Sequence, residues 1–182
     1  ILPMTTSFGW QISEVTTAIG VMFLILALFA PFGGALMLRL GITKVAVTSC
    51  TLIILGLILT VNATQTWHLY FSIGVCLGIA SGILGLGLAA TVATRWFETR
   101  RGLVVGILTS AFAAGQLAFV PITAWLTTRF EWQFSILPIL IGACLCAVLF
   151  FLFGKNWPSD LDVPPYGSDE LFMPPNSSKD NP

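Results

Sequence analysis

Charged side chains are scarce in this chain, and their scarcity excludes a water-soluble fold. Asp, Glu, Lys and Arg make up 9% of the 182 residues, whereas hydrophobic residues make up 56%. A soluble domain carries about a quarter charged residues, because its surface must face water. This chain cannot cover such a surface, so lipid is its predicted solvent.

The groups that most enzymes and metal sites need are also missing from the sequence. A single histidine, His68, rules out most acid–base constellations, and there is neither an HExxH motif nor a phosphate-binding glycine loop. The four cysteines all lie in apolar segments, where free cysteine behaves as a small hydrophobic residue. We therefore expect no enzyme activity, no cofactor, no bound metal and no nucleic-acid partner.

Five long apolar runs fill most of the chain, and none of them contains Lys, Arg, Asp or Glu. A helix needs about 20 apolar residues to cross a bilayer core, and backbone groups in lipid must bond within a helix or a closed barrel. The runs are continuous rather than alternating, which favours helices. The predicted fold class is an all-α integral membrane protein with transmembrane helices at Thr16–Leu38, Val45–Val61, Leu69–Thr94, Leu103–Thr127 and Phe134–Phe153.

Basic residues mark every second connection between these runs. The residues at the alternate connections are Arg39, Lys44, Arg95, Arg100, Arg101, Lys155 and Lys179, and only Arg129 lies in another loop. Cytoplasmic loops carry an excess of Lys and Arg. We therefore expect a multi-pass protein of the plasma or inner membrane with a cytoplasmic C-terminal tail. Residues 1–13, 62–68 and 128–133 are expected to face outward.

The chain changes character after the fifth run. From Asn156 onward it is rich in Pro, Asp and Ser and has no apolar period. Such a composition is typical of a disordered segment, because it offers too little apolar surface to bury. We therefore predict a membrane domain over residues 1–155 and a flexible cytoplasmic segment over residues 156–182.

Small residues recur at helical spacing in the third and fourth runs. Such residues let helix backbones approach closely, and the predicted packing positions are Gly74, Gly78, Gly85, Gly106 and Gly115. A second interpretation is that the same faces line a path through the membrane, because Thr109, Gln116 and Thr123 recur every seven residues. On that interpretation the candidate cavity residues are Ser81, Thr109 and Gln116. Both interpretations stay open on the sequence alone.

The loop after the first run reads Gly34-Ala-Leu-Met-Leu-Arg39-Leu-Gly41-Ile-Thr-Lys44. It resembles the signature G-x-x-x-D-R-x-G-x-[RK]-[RK] between the second and third helices of the major facilitator superfamily. Leu38 stands at the acidic position of that signature, and Thr43 stands where a basic residue is common. The resemblance, with the basic loops, makes these residues candidates for a cytoplasmic gate or for topology signals: Gly34, Arg39, Gly41, Lys44, Arg100 and Arg101.

The loop after the third run reads Arg95-Trp-Phe97-Glu-Thr-Arg100-Arg101-Gly-Leu103-Val-Val-Gly106. It is similar to the entry to the fifth helix in the monocarboxylate and oxalate–formate-like branch of the same superfamily. The resemblance implies that the five runs are helices two to six of a twelve-helix transporter, part of its N-terminal half-bundle. The segment would then have two missing partners, the first helix and the second six-helix half of the parent transporter. The lipid bilayer would surround the whole assembly.

The resemblance implies secondary active transport of a small organic anion, such as a mono- or dicarboxylate, by alternating access. The alternative interpretation is a membrane-embedded packing or assembly protein with no transport activity of its own, in which the glycine positions serve helix contacts alone.

Overall fold

A computed structural model of the chain describes residues 10–130 and 132–168. It contains five helices that are long and apolar enough to cross a membrane: α1 (Ile12–Leu40), α2 (Ile42–Val61), α3 (Thr66–Trp96), α4 (Arg101–Arg129) and α5 (Trp132–Phe153). No strand element occurs in those two ranges. The predicted all-α membrane fold is confirmed, and each predicted run lies inside one helix. Predictions for residues 1–9 and 169–182 lie outside the described residues.

The connections between helices alternate between two ends of the bundle. One end, here called the basic end, holds the α1–α2 turn, the α3–α4 loop and the segment that follows α5. A single residue, Gly41, separates α1 from α2, and its φ of +91° is in a region that favours glycine. Its N–H donates to the carbonyl of Met37 at 3.0 Å, so the turn also satisfies the end of α1.

The closest helix contact joins α1 to α3. A Cβ atom added at Gly82 of α3 would lie 2.7 Å from the carbonyl oxygen of Leu26 in α1. At Gly78, one turn earlier, an added Cβ would lie 3.0 Å from the carbonyl oxygen of Met22. Because these neighbours are backbone atoms, the glycines let the two helix backbones touch, as small residues do in membrane bundles.

Helix α2 contacts α3 on one side and α5 on the other. The buried hydroxyls of Thr60 in α2 and Ser72 in α3 are hydrogen bonded at 3.0 Å. Phe150 of α5 packs against a buried cluster formed by Met37, Ile42 and Val45 near the basic end. The core of the bundle therefore consists of α1, α2 and α3, with α5 on the outer side of α2.

Helix α3 is not a uniform α-helix. It begins as a short α-helical turn over Thr66–Leu69, continues as a π-helix over Tyr70–Leu77, and returns to α-helix over Gly78–Trp96. Within the last part, Gly85 has φ −44° and ψ −112°, which breaks the regular backbone. π-Helical hydrogen bonds span five residues rather than four, so the segment makes wider turns.

Helices α4 and α5 lie at the periphery. No residue of α4 over Arg101–Arg129, or of α5 over Leu137–Phe153, is buried within the described part of the chain. Their surfaces carry large apolar side chains, such as Leu117 and Phe151, which are about three-quarters exposed at 78% and 75%. Such surfaces require lipid chains or further helices around them.

The segment that follows α5, which is predicted from its composition to be flexible, makes contacts with the bundle over its described part. Over residues 156–168 it contains a 3₁₀-helix, Pro158–Leu161, and it lies against the basic end of the bundle. Hydrogen bonds between Asn156 and the two residues Thr43 and Arg95 join it to other elements, although it has no apolar period. Composition alone does not reveal such contacts.

Candidate functional site

The candidate cavity residue Gln116 lines an open depression on the surface of α4. The other lining residues are Ala113, Leu117, Val120 and Pro121, so the Gln116 amide is its one polar side chain. An amide at mid-membrane depth is costly in lipid unless another polar group reaches it. The depression is therefore a place where a polar partner, either a further helix or a bound solute, would be stabilised.

The other two cavity candidates lie outside this depression. Ser81 is half-buried on α3, next to Gly82 at the contact with α1. Thr109 is half-buried on α4, and its hydroxyl donates to the carbonyl of Val105 in its own helix at 2.8 Å. The structure thus does not bring the three candidates into one enclosed site. Thr109 already uses its only hydrogen-bond donor.

The predicted gate residues gather at the basic end. Arg39, Lys44, Arg100 and Arg101 all have exposed side chains there. Arg101 donates through Nε to the carbonyl of Phe97 at 2.7 Å, which holds it over the α3–α4 loop. These exposed cations form a positive surface, which is the kind of surface that interacts with anionic lipid headgroups or with acidic groups of another protein segment.

The glycines at the basic end have different surroundings. A Cβ added at Gly34 would meet no other atom within 4 Å, whereas one at Gly41 would lie 2.6 Å from Oδ1 of Asn156. Gly41 is therefore both a turn residue and a point of close contact with the segment after α5. Gly34 leaves open space beside α1.

The predicted packing glycines divide into two groups. Gly74 and Gly78 lie at the α1–α3 contact, with an added Cβ at Gly74 3.0 Å from Cγ1 of Val21. A Cβ added at any of the remaining three would meet nothing within 4 Å: Gly85, Gly106 and Gly115. Those three face space that this part of the bundle does not fill.

Arg95 is the most constrained charged residue in the described structure; its place in a basic loop indicates either a topology signal or a contact with the partner half or with helix ends. Its side chain is 5% exposed although it lies at the end of α3. Nη2 donates to the carbonyls of Met37 at 3.1 Å and Leu38 at 3.4 Å, in the last turn of α1. A cation at a helix C-terminus satisfies carbonyls that lack a partner within the helix.

Trp157 and Asn156 complete the surroundings of Arg95. The guanidinium lies 4.2 Å from the centre of the Trp157 ring, in cation–π geometry. Nη1 donates to the backbone carbonyl of Asn156 at 3.3 Å. The sequence contains one signal for this turn, the run Trp157-Pro-Ser-Asp160, which has an acidic residue at the position typical of a capping box. In the structure, Asp160 accepts hydrogen bonds from the N–H groups of Asn156 and Trp157 at 3.0 and 3.1 Å.

The profile described as Major Facilitator Superfamily matches residues 1–170. Monocarboxylate transporter 13 of Rattus norvegicus is 32% identical over 108 residues, which are 59% of this chain and 25% of that protein. The uncharacterized MFS-type transporter YhjX of Escherichia coli (strain K12) is 31% identical over 151 residues, which are 82% of this chain and 36% of that protein.

A third relative, Monocarboxylate transporter 14 of Homo sapiens, is 26% identical over 154 residues, 82% of this chain and 29% of that protein. The chain thus spans about a quarter to a third of the length of these relatives. The family match covers all five helices and both basic-end loops. This chain belongs to the Major Facilitator Superfamily, a family of multi-pass membrane transporters.

Proposed function

We propose that the complete protein containing this segment is a secondary active transporter of a small organic anion, such as a mono- or dicarboxylate. The match to the superfamily over residues 1–170 is the observation that carries the proposal. Relatives named as monocarboxylate transporters support the substrate class. Transport would proceed by alternating access, in which two six-helix halves rock about a central site.

The proposed path for the anion runs along the faces of α3 and α4 that this half leaves uncovered. Gln116 is its main candidate, because its amide lines an open depression at mid-span. Ser81 and Thr109 are half-buried and are proposed to line other points of these faces, apart from the depression at Gln116. The five predicted runs hold no basic residue, so the group that binds the substrate charge is proposed to lie elsewhere in the protein.

The basic end is proposed to face the cytoplasm of a cell bounded by the plasma or inner membrane, in accordance with the positive-inside rule. Arg39, Lys44, Arg100 and Arg101 are exposed there and would contact the second half of the transporter when that side closes. The family implies a first helix and a second six-helix half as partners of this segment. These partners would cover α4 and α5, because neither helix buries its apolar surface against the other helices described.

Uptake by proteoliposomes tests this proposal. The complete protein is reconstituted and supplied with radiolabelled lactate, pyruvate or succinate, with and without a pH gradient and with and without preloaded unlabelled anion. We expect saturable uptake of at least one of these anions, reduced by an excess of the same anion without label. Protein-free liposomes should show no such uptake. Folded protein that moves none of them under any gradient would refute anion transport and favour an assembly role.

A further inference from the structure

The segment after α5 returns to the bundle and ties several helix ends together. We propose that residues 154–168, here called the brace, stay docked throughout the transport cycle and hold the basic ends of α1, α2 and α3 together as one body. Arg95 is its positioning residue. The inference about the cycle rests on the proposed function, whereas the inference about docking does not.

The first contact of the brace is with the start of α2. Oδ1 of Asn156 accepts a hydrogen bond from the backbone N–H of Thr43 at 3.2 Å, in the first turn of α2. Gly154 lies so close to this turn that an added Cβ would be 2.7 Å from the Thr43 side chain. An N–H in a first helical turn has no partner in its own helix, so Asn156 supplies the missing acceptor.

The second contact joins α1 and α3 through Arg95. Its guanidinium bonds to two carbonyls of α1, to the backbone carbonyl of Asn156, and stacks on Trp157 of the brace. With the brace removed, Arg95 would lose Asn156 and Trp157 together. Docking leaves Arg95 5% exposed, and its contacts with Asn156 and Trp157 replace the hydration that the guanidinium loses.

The third contact joins the far end of the brace to the α3–α4 loop. The N–H of Tyr166 donates to the carbonyl of Trp96 at 2.9 Å, and the N–H of Glu98 donates to the carbonyl of Tyr166 at 3.0 Å. Phe97 and Tyr166 form an isolated parallel β-bridge, and their ring centres are 5.8 Å apart. This backbone pairing holds Tyr166 against the α3–α4 loop, which leads into α4.

Between these contacts the brace forms a turn with its own hydrogen bonds. Asp160 accepts from two backbone N–H groups, and Pro158, at the start of the 3₁₀-helix, is buried. A lid that opens in each cycle would be expected to have few bonds and exposed partners. The brace has the opposite character. It bonds to α2 through the Asn156 side chain, to the α3–α4 loop through the Tyr166 backbone, and to Arg95 of α3, which in turn bonds to α1. The geometry therefore points to a permanent element.

A disulfide across the brace tests whether it is permanent. Residues paired in a β-bridge have backbones about 4.8 Å apart, which is within the range that a disulfide tolerates. The variant Phe97→Cys/Tyr166→Cys is made in the complete protein after its native cysteines in this segment are replaced by Ala, at Cys50, Cys76, Cys144 and Cys146. Each single cysteine variant serves as a control for the loss of an aromatic ring.

We expect the disulfide to form readily in membranes and the oxidised protein to transport within about twofold of the reduced protein. A drop of tenfold or more on oxidation, reversed by reduction, would show that the brace must release and would overturn the proposal. Failure of the disulfide to form would overturn the docking itself. If the cysteine-free parent transports no anion, the proposed function fails, but disulfide yield still decides whether the brace is docked.

Hydrogen exchange tests the role of Arg95 without any transport. We expect Arg95→Gln to speed exchange of brace amides, including that of Tyr166, by about tenfold or more, and Arg95→Lys to restore part of the protection. Arg101→Gln is the matched control, because Arg101 is exposed and bonds to the loop rather than to the brace. Equal protection in Arg95→Gln and Arg101→Gln would remove Arg95 from the positioning role.

Discussion

The contact between α1 and α3 makes a sharp prediction about Gly82. Replacing Gly82 with Ala places a methyl group 2.7 Å from the carbonyl oxygen of Leu26 and 3.2 Å from its Cα. A carbon and a carbonyl oxygen normally approach no closer than about 3.3–3.6 Å. The helices must therefore separate by roughly 0.6–0.9 Å at this point, since the Leu26 carbonyl and the Cβ of Phe29, 3.1 Å away, are both fixed by the α1 backbone.

The free-energy cost follows from overpacking. Inserting a methyl group into a well-packed contact destabilises a protein by about 1–3 kcal/mol. Ala also favours the helical backbone over Gly by about 0.5–1 kcal/mol, which opposes part of that cost. The matched control is Gly20→Ala in α1, because a Cβ at Gly20 meets nothing within 4 Å. The difference between the two variants removes the backbone effect and leaves the clash.

Thermal unfolding of the detergent-solubilised protein, followed by tryptophan fluorescence, measures this difference. A difference of about 2 kcal/mol corresponds to about 4–8 °C in the unfolding midpoint for a unit of this size. We expect Gly82→Ala to unfold below Gly20→Ala by that margin. Equal midpoints would show that α1 and α3 do not approach as described, and the reasoning from the glycine contacts would be refuted.

Three further predictions concern single side chains. Thr60→Val should lower the free energy of unfolding by about 0.6–1.5 kcal/mol, because it removes the buried hydrogen bond between the hydroxyls of Thr60 and Ser72. The control is Thr51→Val at an exposed position, which should change the free energy of unfolding less in the same thermal unfolding experiment. Asp160→Ala should accelerate proteolysis of residues 154–168 by losing two backbone hydrogen bonds, whereas Asp160→Asn keeps an acceptor oxygen, and equal cleavage of both variants would contradict this role. Gln116→Leu should raise the KM for anion uptake by about tenfold if the amide contacts the substrate; an unchanged KM and rate would assign Gln116 to helix packing.

The sequence predicted the helices because the requirement for them is local. A run of about 20 apolar residues without charge can cross a membrane only as a helix, whatever its neighbours are. The structure extends the helices by a few polar residues at their ends, as in the first, which begins at Ile12 rather than Thr16.

The contacts between elements were less predictable, because they depend on residues distant in the sequence. The spacing of small residues indicated Gly74 and Gly78, but it did not distinguish them from Gly106, which has no close neighbour here. The contacts of the brace are not predictable from its own sequence, because they involve Thr43 and Arg95, which are far from it along the chain. Neither signal can be read from the composition of residues 156–168.

The π-helix of α3 has a consequence for comparison among relatives. A π-helical turn accommodates one residue more than an α-helical turn over the same rise, so Tyr70–Leu77 holds extra chain without changing the direction of the span. A homologue that lacks one residue between positions 69 and 78 would form a continuous α-helix there and still present its later glycines to α1. Alignments of this family should therefore tolerate a single-residue gap in this segment, inside the membrane, where insertions and deletions are otherwise rare.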